Sequence, residues 1–156
     1  MPKEIERKFL VRKDLWYALP KPEGELIRQG YLLSGPDLVI RIRIRGNTAT
    51  LTLKGSTHKA TRDEYEYAIP LDQALEIFDL YTRNRIDKMR YTFEFRGNIW
   101  EVDEFFGENE GLIIAEIELR DENDTFAHPS WLGEEVTGDA RYYNSSLAEN
   151  PYLHWK

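Results

Sequence analysis

The sequence predicts an α+β chain, mostly β, built as a closed eight-stranded antiparallel β-barrel with a few peripheral helices. Three observations lead there. Eight segments alternate charged and apolar residues, the period of two that sends successive side chains to opposite faces of a strand. Gly35-Pro36, Gly46-Asn47, Gly55, Pro70, Gly97-Asn98 and Gly107 punctuate those segments. One face of nearly every segment is charged, and closing the sheet gathers those faces into one interior and removes exposed edges. With 156 residues, no internal repeat and no low-complexity linker, residues 1–156 read as a single domain.

The first strand, residues 4–11, sets Glu4, Glu6 and Lys8 against Ile5, Phe9 and Val11. Asp14 is placed to cap a short helix that Pro20 stops. Residues 26–33 form the second strand. The third, 38–45, alternates most sharply: Arg41, Arg43 and Arg45 against Ile40, Ile42 and Ile44. The fourth, 49–54, sets Thr50, Thr52 and Lys54 against Ala49, Leu51 and Leu53. The fifth, 61–69, sets Arg62, Glu64 and Glu66 against Tyr65, Tyr67 and Ile69. A helix capped by Asp72 runs to about residue 81, with Leu75, Phe78 and Tyr81 on one face. The sixth strand, 87–95, sets Lys88, Arg90, Thr92 and Glu94 against Met89, Tyr91, Phe93 and Phe95. The seventh, 98–105, sets Glu101 and Asp103 against Trp100 and Val102. The eighth, 112–120, sets Glu116 and Glu118 against Ala115, Ile117 and Leu119. A third helix is predicted over 123–128, ending at Pro129, and a short turn after Asn144.

Composition narrows the chemistry. Hydrophobic residues at 41% and aromatics at 13% supply a core, which excludes a disordered chain. A net charge of −7 argues against a general binder of nucleic acid or anionic membranes, and leaves room for a local basic pocket. The absence of cysteine excludes disulfides, iron–sulfur clusters and zinc-thiolate sites. His58, His128 and His154 share no ligand spacing. A metal would therefore sit on carboxylates, which suits Mg²⁺, Mn²⁺ or Ca²⁺. No stretch has membrane length, and the N-terminus lacks the apolar core of a signal peptide, which predicts a cytoplasmic protein.

For any one strand, a charged face is ordinarily the wet side of a half-buried sheet. A wet face normally mixes Lys, Glu, Thr, Ser, Gln and Asn. Here Arg and paired carboxylates recur strand after strand. Inside a barrel such charges need partners. A polyanion meeting the Arg and Lys groups, with divalent cations meeting the carboxylates, would satisfy them. A triphosphate with metal is such a ligand.

Specific motifs agree. Glu4-Ile5-Glu6-Arg7-Lys8 fits an ExExK signature, and Gln29-Gly30-Tyr31, Arg41-Ile42-Arg43, Thr52-Leu53-Lys54, Glu64-Tyr65-Glu66, Lys88-Met89-Arg90 and Glu116-Ile117-Glu118 follow in order. Glu134-Glu135-Val136-Thr137, with Asp139, Arg141, Tyr142 and Asn144, completes the set. In these residues the chain resembles the CYTH superfamily, the triphosphate tunnel metalloenzymes, in the short bacterial form typified by inorganic tripolyphosphatases. The resemblance spans essentially the whole chain. It implies a triphosphate held by Lys8, Arg41, Arg43, Lys54, Lys88 and Arg90. It implies Mg²⁺ or Mn²⁺ held by Glu4, Glu6, Glu64, Glu66, Glu116 and Glu118, with Asp103 as a further acid. Arg45 and Arg62 share the parity but match the family pattern less firmly. The catalytic pair it suggests is Tyr31, hydrogen-bonded to a tunnel lysine, and Lys88, positioning or deprotonating water. The implied reaction is metal-dependent hydrolysis of a triphosphate, inorganic tripolyphosphate first. Class IV adenylate cyclase and thiamine triphosphatase share the fold, and a non-catalytic polyphosphate or nucleotide binder is the alternative outside enzymes. A homodimer is implied by the resemblance alone. One departure stands out: where the family often carries further basic residues after Arg141-Tyr142, this chain has Tyr143-Asn144-Ser145-Ser146.

Overall fold

Alternating segments become strands because each has one side that must leave water and another that must not. The computed structural model describes residues 2–155. Its strands are β1 (Lys3–Val11), β2 (Glu25–Ser34), β3 (Leu38–Arg45), β4 (Thr48–Gly55), β5 (Thr61–Ile69), β6 (Asn84–Phe95), β7 (Asn98–Phe105), β8 (Ile113–Glu118) and β9 (Leu132–Glu135). Its helices are α1 (Lys13–Tyr17), α2 (Leu71–Tyr81) and α3 (Asn144–Glu149). No helix among the described residues is long and apolar enough to cross a membrane.

The strands pair antiparallel in the order β5-β4-β3-β2-β6-β7-β8-β1, and β5 returns to β1 to close an eight-stranded barrel. β1 is the closing stave. Glu6 to Leu10 pair with β8, Lys3 to Ile5 pair with β5 on the other edge, and β9 takes that edge at Phe9 and Val11. The β6–β7 hairpin has a two-residue turn, Arg96-Gly97, with φ of 46° and 87°. Those angles match a type I′ turn, whose twist suits the flanking strands.

The buried apolar residues form three clusters, two of them on the outward faces of the strands. Phe9, Trp100, Val102, Ala115 and Ile117 pack under Trp16 of α1 and Trp131 of the long connection after β8. Ile42, Ile44 and Ala49 pack under Ala74 and Phe78 of α2. The third cluster lies at one end of the barrel. There the inward positions change from charged to apolar: Val39, Ile86, Phe105 and Ile114 meet Leu147 of α3 and form a floor.

Several elements differ from expectation. The segment 123–128 is not helical: Asp124 Oδ2 accepts the backbone N–H groups of Arg120 and Asp121, a local alternative to a helix. Irregular in backbone, it lays Phe126 against Phe9 and Trp100, with ring centroids 5.9 and 5.7 Å apart. β9 was not expected, and the tail forms a helix rather than a turn. α2 buries Ala74 and Phe78, whereas Leu75 and Tyr81 of the predicted face are exposed. Neither Asp14 nor Asp72 caps its helix; each lies in the first turn, where its charge still favours the dipole.

Trp100 has 0% exposure and meets Phe9, Phe126 and Trp131 at 5.9, 5.7 and 5.6 Å. Trp100→Ala should lower the free energy of unfolding by about 3–5 kcal/mol, measured by denaturant titration. A loss under about 1 kcal/mol would show that the outer aromatic layer does not hold the barrel wall.

Candidate active site

Closing the barrel brings the charged faces around one cavity of about 300 Å³. All the residues assigned above to phosphate, metal or catalysis line it, as do Arg45 and Arg62. Asp103 does not; it lies behind the lining with 1% exposure.

The basic side is built on β3 and β6, with Asp103 from β7 beneath. Arg90 forms a two-pronged bond to Asp103, Nε to Oδ1 at 2.8 Å and Nη2 to Oδ2 at 2.9 Å. Lys88 Nζ lies 2.7 Å from Asp103 Oδ2 and donates to Asn144 Oδ1 at 2.7 Å. Despite burial, Arg90 and Lys88 hold the Asp103 carboxyl well below the usual range. Asp103 is thus the counter-ion that allows two cations to be enclosed, not a lumen acid. The remaining cations repel one another. Burial, then Arg41 and Arg90, pushes Arg43 down to about 9. Burial lowers Lys88 to about 7, with Arg90 and Arg43 acting in the same direction against Asp103. Arg41 Nη2 meets Thr52 at 3.3 Å, but its buried Nε has no partner among the described residues. Neither Arg41 nor Arg43 has an ion pair among the described residues.

The acidic side is built on β1, β5 and β8. Lys54 Nζ bridges Glu4, at 3.0 and 3.1 Å from its two oxygens, and Glu64, at 3.3 Å. Lys8 faces Glu116 across 3.7 Å. Burial opposes ionisation of Glu116, but Lys8 and Arg90 outweigh it and hold the carboxyl down to about 2. Glu6 differs. It stands opposite Glu118 in the β1–β8 register and has no ion pair among the described residues. Burial, then Glu116 and Glu4, pushes it up to about 8. Its side chain is half-buried and lines the lumen. Burial also raises Glu4 and Glu118. Glu66 is exposed at the cavity's edge, 3.5 Å from the Thr52 hydroxyl.

No three His, Asp or Glu side chains among the described residues stand together as a ready-made metal site. The carboxylates nonetheless fit a hard cation of the Mg²⁺ kind, which takes one or two carboxylates and completes its shell with water and phosphate oxygens. Glu6, enclosed beside carboxylates, is the group most in want of such a charge.

Arg45 is engaged by Glu25, and Arg62 donates to the Gly55 carbonyl at 2.8 and 3.0 Å. Tyr31 does not bond a lysine among the described residues: its hydroxyl meets Gln29 Nε2 at 2.7 Å. Gln29, Glu101, Tyr143 and Asn144 were not assigned from sequence. Glu101 has the right parity and pairs with Arg90 at 3.1 Å. Gln29 shares its strand face with Tyr31, a usable signal. Tyr143 and Asn144 arrive by tertiary contact, which no spacing reveals; the Tyr143 ring packs against Lys8 Nζ at 5.4 Å.

Known proteins share this architecture. Two relatives named inorganic triphosphatase are 52% identical, from Acetivibrio thermocellus, and 38% identical, from Nitrosomonas europaea. The first match covers 100% of this chain and 99% of the relative, the second 93% and 96%. The crystal structure of an inorganic triphosphatase superposes with a TM-score of 0.65 at 36% identity, covering 93% of this chain and 97% of that one. The CYTH domain profile matches residues 2–150, the span that contains every strand of the barrel wall, and the chain belongs to the CYTH domain family.

Proposed function

We propose that this chain hydrolyses the terminal anhydride of a triphosphate, with inorganic tripolyphosphate as its first substrate. The observation that carries the reading is the division of one enclosed cavity of about 300 Å³ into an arginine-rich side, where Arg41 and Arg43 have no ion pair among the described residues, and a carboxylate-rich side, where Glu6 has none. The names of the relatives, which are 52% and 38% identical, support the choice of substrate. The lining supports it too, because it offers charge throughout but few apolar or aromatic surfaces for a nucleobase.

Arg41, Arg43, Lys8, Lys54 and Arg90 hold the phosphate oxygens and offset their charge as the P–O bond breaks, with groups already in place. Glu4, Glu6, Glu64, Glu116 and Glu118, with Glu66 at the edge, would hold Mg²⁺ or Mn²⁺, which supplies neutralisation of phosphate oxygens and a more acidic water. Lys88 receives the proton. As an amine it spends its two hydrogens on Asp103 and Asn144, and its lone pair is left for the attacking water. Water adds to the terminal phosphorus, the bridging P–O bond breaks, and orthophosphate and pyrophosphate leave. Pure anion binding would have no use for the carboxylates.

Orthophosphate release from tripolyphosphate, ATP and thiamine triphosphate, each with Mg²⁺ or Mn²⁺, should be fastest for tripolyphosphate and should stop with EDTA. Cyclic AMP formation without orthophosphate would instead identify a cyclase, and tight binding without turnover a binding module. Replacing Arg41 and Arg43 together by alanine should lower kcat/KM by about 10²-fold or more.

The pH dependence has a definite sign. The competent form of Lys88 is the amine, so kcat/KM should rise with pH through about 7 and then level off. A bound polyanion favours the ammonium, so the limb in kcat should lie higher. Lys88→Arg keeps the charge but cannot titrate in this range, and the limb should vanish with about 10²-fold loss of kcat. An unchanged profile would remove Lys88 from the proton's path.

A further inference from the structure

Gln29 has 0% exposure and does not line the cavity, yet its amide joins three residues that do. Its Oε1 accepts from Arg43 Nε at 3.0 Å. Its Nε2 donates to the Tyr31 hydroxyl at 2.7 Å and to Asn144 Oδ1 at 3.2 Å. The orientation of this amide is forced. Arg43 has only donors, so it must face the oxygen, and the NH₂ end must face Tyr31 and Asn144. Asn144 must then present its Oδ1 to that NH₂ end, and the same oxygen accepts from Lys88.

Polarity then propagates to Tyr31. The phenol oxygen receives a hydrogen from Gln29, and its own proton cannot point back at an N–H group. The proton's other position lies away from Gln29, and Tyr31 is one of the residues that line the cavity. We propose that Gln29 is a positioning residue that commits Tyr31 to donating its hydrogen bond to the bound anion. This rests on the assignment of the lumen to a phosphate chain. It also divides the catalytic labour. Tyr31 offers its hydroxyl hydrogen to the phosphate oxygens, and the water's proton goes to Lys88. Gln29 couples the two indirectly, because the amide that orients Tyr31 shares the acceptor that positions Lys88.

The test is a double-mutant cycle on tripolyphosphate hydrolysis. Gln29→Glu keeps the size and the Arg43 contact but presents acceptors only, so the Tyr31 proton must turn toward it. Gln29→Glu and Tyr31→Phe should each lower kcat/KM about tenfold. The double variant should fall no more than twofold below either single variant. A loss caused by added charge or by a displaced Arg43 would persist in the Tyr31→Phe background, so multiplying losses overturn the proposal. So does a Gln29→Glu enzyme within twofold of wild type. A second measurement needs neither catalysis nor a Gln29 variant. In ¹⁵N spectra of the ligand-free protein, Tyr31→Phe should shift one of the two Gln29 side-chain amide protons and leave the one bonded to Asn144. If neither proton moves, the proposal fails even where Gln29→Glu does not fold. If wild-type protein releases no orthophosphate, the functional assignment fails, and the amide protons still decide the orientation of Tyr31.

Discussion

Charges removed from bulk water must find partners, and that requirement shapes the barrel more than any single contact. β1 shows how. Its two edges bind β8 on one side and β5 and β9 on the other, and this pairing closes the wall. The same closure forces Glu4, Glu6 and Lys8 into a volume already holding the arginines of β3 and the cations of β6. Enclosing one such charge alone would cost several kcal/mol. The fold meets that cost unevenly. Asp103 satisfies Arg90 and Lys88 from beneath, and Lys54 satisfies Glu4 and Glu64, but Glu6 and Arg41 keep unmet capacity.

That unevenness separates scaffold from site. A fully neutralised lumen would be a stable, inert core. A lumen with no internal pairs would not close. The pairs found here, such as Lys8 to Glu116 and Arg90 to Glu101, lie along the wall between neighbouring strands. They hold cations and carboxylates in fixed relative positions before any ligand arrives, which is the condition for electrostatic preorganisation.

Much of this was legible in the sequence because strand parity is rigid. Arg41 and Arg43 between isoleucines can only share a face, and Glu116 and Glu118 likewise. What parity cannot distinguish is depth. Asp103 has the same parity as the lumen acids but lies beneath Lys88 and Arg90, because its neighbours on β6 are both cations longer than itself. Val39, Ile86 and Ile114 continue inward faces that are charged elsewhere, and only the three-dimensional barrel shows them meeting to form a floor. The helix predicted over 123–128 is missing for a related reason: Phe126 packs on Trp100 in the outer aromatic layer, and Asp124 offers the backbone a turn instead.

The neutral tail gains its meaning from that floor. Sequence comparison with the family pattern suggested a lost basic contact after Tyr142. The structure places Leu147 of α3 in the apolar floor and, one helical turn earlier, Asn144 against Lys88. Packing at the floor therefore sets the position of the acceptor that Lys88 uses. A lysine or arginine at 144 would bring only donors to a place where Lys88 and Gln29 both donate, leaving three hydrogen-bond donors and no acceptor. It would also add repulsion to a group already lowered to about 7 by burial and by Arg90 and Arg43. Asparagine supplies an oxygen without a charge. Asn144, one of the residues that depart from the family's basic pattern, thus lets Lys88 sit enclosed and hydrogen-bonded without a further cation beside it.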